Sequence, residues 1–227
     1  METTTDTTSR RLHGLYAITP CSSHPPSLST SELIDKVEQA ITGGARIIQY
    51  REKRHHSGVK REQAARIKTL CDRHGALFIV NDDVELAAAT SADGVHLGQD
   101  DWSLSQARKR LGASFIIGVS CYNQLELAHT AQQQGADYVA FGRFFASQTK
   151  PGAVQADIAL LTRAKAELTV PVACIGGITA ENAKLLTSAG ADMIAVIQGV
   201  FGVSDTEQAA RELARCFGPE QPASSGV

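Results

Sequence analysis

The chain has 227 residues, with 22 Lys and Arg against 24 Asp and Glu for a formal charge of -2. That length suits one large domain, and the near-neutral balance excludes a chain-wide basic surface for nucleic acid or an acidic membrane. No apolar run is long enough for a membrane span and the N-terminal METTTDTTSRR lacks a signal-peptide core, so a cytoplasmic protein with no membrane partner is expected. The five cysteines, Cys21, Cys71, Cys121, Cys174 and Cys216, contain no CxxC pair and read as reduced thiols.

Short apolar runs alternate with amphipathic stretches along almost the whole chain, as in repeated βα units on a parallel sheet. Residues 1–11 are expected to be a disordered tail. Strands are then predicted over 14–19 and 45–50, with a helix over 31–42 between them, and a second helix over 58–74 leads to a strand at 76–80. Further strands fall at 94–97, 114–119 and 138–141, with a helix over 123–134, and the last two at 172–175 and 193–196 flank a helix over 180–189. Gly44, Gly75, Gly112, Gly135 and Gly190 each stand before an Ala and an apolar run, with Ser91 in the equivalent place, and mark helix ends. Eight such strands predict an α/β chain folded as one (β/α)8 TIM barrel over 12–218, with a disordered tail over 219–227. An open doubly wound sheet is the weaker alternative, because the early GxGxxG turn is missing.

In such barrels chemistry sits where strands end. Gln49, Arg51 and Lys53 follow the second strand, Asn81 and Asp82 the third, His96, Gln99 and Asp101 the fourth and Ser120 the fifth. Ser147, Thr149 and Lys150 follow the sixth, Gly176 and Gly177 the seventh, Ile197 and Gln198 the eighth. Arg51 and Lys53 alternate with Glu52, so the two cations share a side of the extended chain; with Lys150 they suit a diphosphate, although a solvated charge run would look the same. Asp82 and Asp101 beside them suit Mg2+, and the competing reading makes Asp82 or Asp83, and Asp100 or Asp101, helix caps. The turn from Cys174 to Thr179 and the segment Ile197-Gln198-Gly199 match the recurrent phosphate site after strands seven and eight; a plain tight turn is the alternative.

The segments GLYAITP, QYREK, VNDD, DGVHLGQDD, FGRFFASQTKP, CIGGIT and NAKLLTSAGADMIAVI, spread over residues 14–201, together resemble the thiamine phosphate synthase family. The resemblance implies a Mg2+-dependent transferase that joins a hydroxymethylpyrimidine diphosphate to a phosphoethyl thiazole and releases pyrophosphate through a carbocation-like substitution. It implies that Gln49 contacts the pyrimidine, that Arg51, Lys53, Asn81 and Lys150 hold the diphosphate, and that Asp82 and Asp101 bind Mg2+. It further places Ser120 near both pyrimidine and diphosphate, Ser147 and Thr149 beside the lysine, and Gly177, Ile197 and Gln198 at the thiazole phosphate; Arg51, Lys53, Lys150 and Ser120 form the expected catalytic set. The implied partners are these small molecules, and a homo-oligomer is compatible with the pattern.

Three positions depart from the family pattern. Ser147 stands for a frequent threonine and Gln198 for a common serine. Tyr122 occupies the place of a histidine that is catalytic in the related thiazole tautomerases, and a phenol does not shuttle protons near neutral pH as an imidazole does. A tautomerase-like enzyme and a non-catalytic barrel that senses thiamine precursors are the competing functions. The segment 53–58, with its glycine, is expected to be a lid, and His55-His56 an exposed loop rather than a metal site.

Overall fold

A computed structural model describes residues 12–22, 28–146 and 154–218. The expected tails and the segment carrying Ser147, Thr149 and Lys150 lie outside these residues. Eight parallel strands close into a barrel in chain order: β1 (Gly14–Ile18), β2 (Ala45–Tyr50), β3 (Leu77–Asn81), β4 (Gly94–Leu97), β5 (Ile116–Tyr122), β6 (Tyr138–Gly142), β7 (Val172–Ile175) and β8 (Met193–Val196). The helices are α1 (Thr30–Thr42), α2 (Ser57–His74), α3 (Val84–Ala89), α4 (Leu104–Leu111), α5 (Leu125–Gln133), α6 (Ile158–Glu167), α7 (Ala180–Ser188), α8 (Gln198–Phe201) and α9 (Thr206–Ala214). The barrel expected from the sequence is therefore the observed fold. Only β5 differs appreciably: residues 113–115 still belong to the turn, and the strand continues to Tyr122 through an irregularity after Ser120.

The glycine punctuation has the anticipated cause. Gly75 ends α2 in the left-handed conformation, φ 72° and ψ 17°, with its N–H bonded to the last carbonyls, and Ser91 adopts φ 50° at the equivalent place. Next to three of these turns stands an aspartate that closes the bottom of the barrel. Asp93, Asp137 and Asp192 accept the backbone N–H of Phe78, Ile117 and Val172 at 2.7–2.8 Å. Arg108 of α4 and Lys165 of α6 pair with Asp137 and Asp192, and Lys68 of α2 approaches Asp93.

Alternation along each strand makes two apolar compartments. Leu15, Ile48, Phe78, Val95 and Ile117 face the helices, whereas Tyr16, Ile47, Ile79, Tyr138 and Met193 fill the barrel interior. The four described cysteines nearest the core, Cys21, Cys71, Cys121 and Cys174, are buried, and burial pushes the thiol of Cys121 up to about 12. Among the described residues no helix is long and apolar enough to cross a membrane.

Gly118 of β5 pairs with Tyr138 of β6, and a Cβ on Gly118 would stand 2.0 Å from the tyrosine ring. The ring is fully buried and has nowhere to retreat. Gly118→Ala is therefore expected to cost about 2 kcal/mol or more in unfolding free energy; an unchanged urea midpoint would contradict this packing.

Candidate active site

The strand-two cations owe their orientation to the residue between them. Glu52 turns away from the mouth and accepts hydrogen bonds from Ser22 N and Oγ, both 2.9 Å, and from Cys21 Sγ and the N–H groups of Arg54 and His55. Burial alone would raise its pKa, but these donors outweigh burial and hold it at about 2. The carboxylate ties the β1–α1 loop to the end of β2, while Arg51 lines the mouth and Lys53 reaches Asp82. The start of the expected lid is anchored through Arg54 and His55, and α2 begins at Ser57.

The ambiguity between cap and ligand resolves by division. Asp83 caps α3, its Oδ1 accepting from Leu86 N at 2.9 Å, while Asp82 has φ 61° and meets Lys53 Nζ at 2.9 Å. A non-glycine residue in that conformation is uncommon and concentrates at functional sites. Likewise Ser103, with Gln106, caps α4, so neither Asp100 nor Asp101 does. Asp101 instead accepts from Gly98 N at 2.7 Å and lies in side-chain contact with Asp82. Loss of hydration raises its pKa, the Gly98 N–H opposes that, and the adjoining Asp82 carboxylate raises it further.

Beside this cluster opens a cavity of about 370 Å³ at the strand ends. Gln49, Arg51, Asn81, Ser120, Gly177, Ile197 and Gln198, seven of the residues expected from the sequence, line it; Lys53, Asp82 and Asp101 stand outside the lining as a separate cluster. Its lining is apolar at Ile18, Ala140, Ala173, Ile175 and Ala195. Sequence reasoning missed Tyr16, Arg143 and Tyr122 as lining groups. Tyr16 lies inside a strand rather than at its end. Tyr122 was noted only as a departure, and Arg143 sits in the FGRFF segment without a charge pattern to distinguish it.

The paired glycines have a different immediate role from leaving empty space. A Cβ on Gly176 would meet Arg143 Cβ at 2.3 Å, and one on Gly177, at φ 63°, would meet the Ala146 carbonyl oxygen at 2.2 Å. They admit the backbone of the β6–α6 loop, which packs over the β7–α7 turn through Phe144 N to Ile175 O and Phe145 N to Gly176 O. Gln198 is exposed, and its Oε1 lies against Gly202, where an added Cβ would be 2.2 Å away.

Residues 15–200 match the family described as thiamine monophosphate synthase. The chain belongs to the thiamine monophosphate synthase family. Thiamine-phosphate synthase from Thioalkalivibrio sulfidiphilus is 52% identical over 211 residues, 92% of this chain and 98% of that protein. The corresponding protein of Chromobacterium violaceum is 51% identical, covering 92% and 98%. Among solved structures, thiamine phosphate pyrophosphorylase from Pyrococcus furiosus superposes with a TM-score of 0.81 at 34% identity, over 92% of this chain and 96% of the other. A 3-hexulose-6-phosphate synthase at 17% identity and TM-score 0.65 shares the fold alone.

Membership in the thiamine monophosphate synthase family bears out the resemblance read from the segments and the transferase class it implied. The geometry adds a prediction about Glu52. Its pKa is depressed from 4.5 to about 2, so its contribution to stability is complete above the unfolded value and disappears as pH falls through the folded one. The stability advantage of the parent over Glu52→Gln should be constant above pH about 5 and shrink steadily towards pH about 2. A difference independent of pH in acid unfolding would contradict a charged, hydrogen-bonded Glu52.

Proposed function

We propose that this mouth condenses a hydroxymethylpyrimidine diphosphate with a phosphoethyl thiazole to give thiamine phosphate and pyrophosphate. The observation that carries the reading is the layout of a single cavity: Arg51 and Asn81 on one side, the turns after β7 and β8 on the other, and apolar residues between. Family membership and the printed names of the relatives support the same reaction.

Arg51 and Lys53, with Lys150 from outside the described residues, are assigned to the diphosphate. Gln49 and Ser120 orient the pyrimidine, and the backbone around Gly177, Ile197 and Gln198 receives the thiazole phosphate, with Ser147 and Thr149 beside the lysine. Asp82 and Asp101 fit a hard dication, because two contacting carboxylates at the edge of an anion site supply the oxygen ligands such an ion takes together with substrate phosphates. Mg2+ held there would supply positive charge to neutralise the departing diphosphate. The bond between the pyrimidine methylene and the diphosphate oxygen breaks, and its electron pair leaves with the oxygen. Arg51 and Lys53 stabilise that growing charge, while the thiazole nitrogen supplies the electrons of the new bond. The apolar side chains between the two anion sites keep water from the cation.

Tyr122 in place of histidine favours the synthase over a tautomerase, since the cavity wall carries a phenol at that position. Arg51→Ala is expected to lower turnover by roughly a hundredfold or more in the condensation assay. Near-normal turnover would remove Arg51 from the site. Gly177 is a poor probe of the phosphate because any side chain there displaces the loop at Ala146.

The acidic residues give the sharper test. Asp82→Asn and Asp101→Asn should melt within a few degrees of the parent, lose activity by roughly a hundredfold and recover part of it at high Mg2+ or with Mn2+. Asp83→Ala should do the reverse, losing about 1 kcal/mol of stability with its cap while keeping its metal dependence. Unchanged Mg2+ dependence in both asparagine variants would contradict the ligand assignment.

A further inference from the structure

Beneath the cavity, five side chains from five strands form an unbroken line of hydrogen bonds. Gln49 Nε2 donates to Tyr16 Oη at 2.7 Å, and Tyr16 Oη lies 2.8 Å from Tyr138 Oη. Tyr138 Oη lies 2.9 Å from His96 Nδ1, and His96 Nε2 lies 2.9 Å from Ser120 Oγ. The rings reinforce the line: Tyr16 meets Tyr138 edge to face at 6.1 Å, and His96 stacks on Tyr138 at 5.5 Å. Gln49, Tyr16 and Tyr138 are buried to 2% exposure or less; both ends, Gln49 and Ser120, line the cavity, as do Tyr16 and His96 between them. The room for Tyr138 is the missing side chain of Gly118.

We infer that Tyr16, Tyr138 and His96 act as positioning residues, a relay that fixes Gln49 as an acceptor and Ser120 as a donor towards the cavity and so selects an aminopyrimidine over an oxopyrimidine. The inference deepens the proposed function and rests on its pyrimidine reading. The direction follows from counting protons, since each link holds one. Gln49 Nε2 fills the first link, so Tyr16 gives its own proton to Tyr138, and Tyr138 gives its proton to Nδ1 of His96. The imidazole is then neutral with its proton on Nε2, which it donates to Ser120 Oγ. The hydroxyl proton of Ser120 remains for the cavity. Burial raises the pKa of both tyrosines well above the ordinary phenol, so neither gives up its proton to solvent.

At the other end, Gln49 has turned its nitrogen inward, and no hydrogen bond to its Oε1 occurs among the described residues. Since no buried side-chain oxygen or nitrogen there lacks a partner, that oxygen opens on the cavity. The pocket therefore offers an acceptor and a donor, the complement of an amine beside a bare ring nitrogen. An oxopyrimidine presents a carbonyl and a ring N–H, the reverse pattern. To match it, Gln49 would have to turn over and every link of the relay invert. A break at Tyr138 frees the Ser120 end to reverse by itself.

Two measurements on the full chain test this. With 15N-labelled histidine, NMR of the ligand-free protein should show His96 neutral with its proton on Nε2; a proton on Nδ1 would overturn the relay whatever the substrate. Competition binding should then compare the pyrimidine diphosphate with its oxo analogue. The parent should favour the amino compound by about a hundredfold, and Tyr138→Phe should narrow that preference about tenfold. Tyr16→Phe interrupts the same line and should narrow it too, which keeps the test available should Tyr138→Phe fold poorly. Equal weakening of both ligands, or an unchanged preference in both variants, would reduce the tyrosines to packing and overturn the inference. A parent that binds neither pyrimidine would overturn the substrate reading and the selectivity with it, and the His96 tautomer would still decide the relay.

Discussion

A parallel strand must find a hydrogen-bonding neighbour on each side, and this chain meets that demand by pairing β1 with β8, Gly14 opposite Met193. Closure leaves no edge, but it creates an interior that side chains must fill and two ends that differ in chemistry. At the bottom, three aspartates bind N–H groups in the first two residues of β3, β5 and β7, and cations from the helices balance them. At the top the strands release their last side chains into a shared cavity. The proposed chemistry uses that end, while the side chains at the other serve closure.

Two pairs of neighbouring residues at the top divide structure from chemistry. Glu52 spends its charge on backbone N–H groups and on Ser22, and thereby presents Arg51 and Lys53 on the other side. Asp83 caps a helix, and Asp82 beside it bends into φ 61° to reach Lys53 and Asp101. In each case one residue fixes the backbone beside a neighbour to which the proposed reaction assigns substrate or metal. The cost of an unfavourable conformation at Asp82 is offset by the cap and strand that flank it.

Much of this was legible in the sequence. The strands are short apolar runs bounded by glycine, so their number, order and, except at β5, their approximate ends could be read directly, and seven of the thirteen residues given site roles line one cavity. What escaped reading depends on distant approach. Tyr16 and Tyr138 are separated by 122 positions, and nothing local marks their hydroxyls as partners or Gly118 as the space that admits one of them. The roles of Asp82 and Asp83 differ only in backbone angle, which the dipeptide does not encode. Gly177 was expected at the thiazole phosphate, yet its absent side chain first accommodates the Ala146 carbonyl of another loop.

In the proposed reaction one cavity holds a diphosphate and a second phosphate on opposite sides, and two carboxylates would hold a dication that neutralises the leaving group. The decisive measurement mixes the purified chain with the hydroxymethylpyrimidine diphosphate, the phosphoethyl thiazole and Mg2+. Thiamine phosphate and pyrophosphate should appear in equal amounts, stop when the metal is chelated and resume when Mg2+ is returned. No product, or product formation indifferent to chelation, would contradict the account.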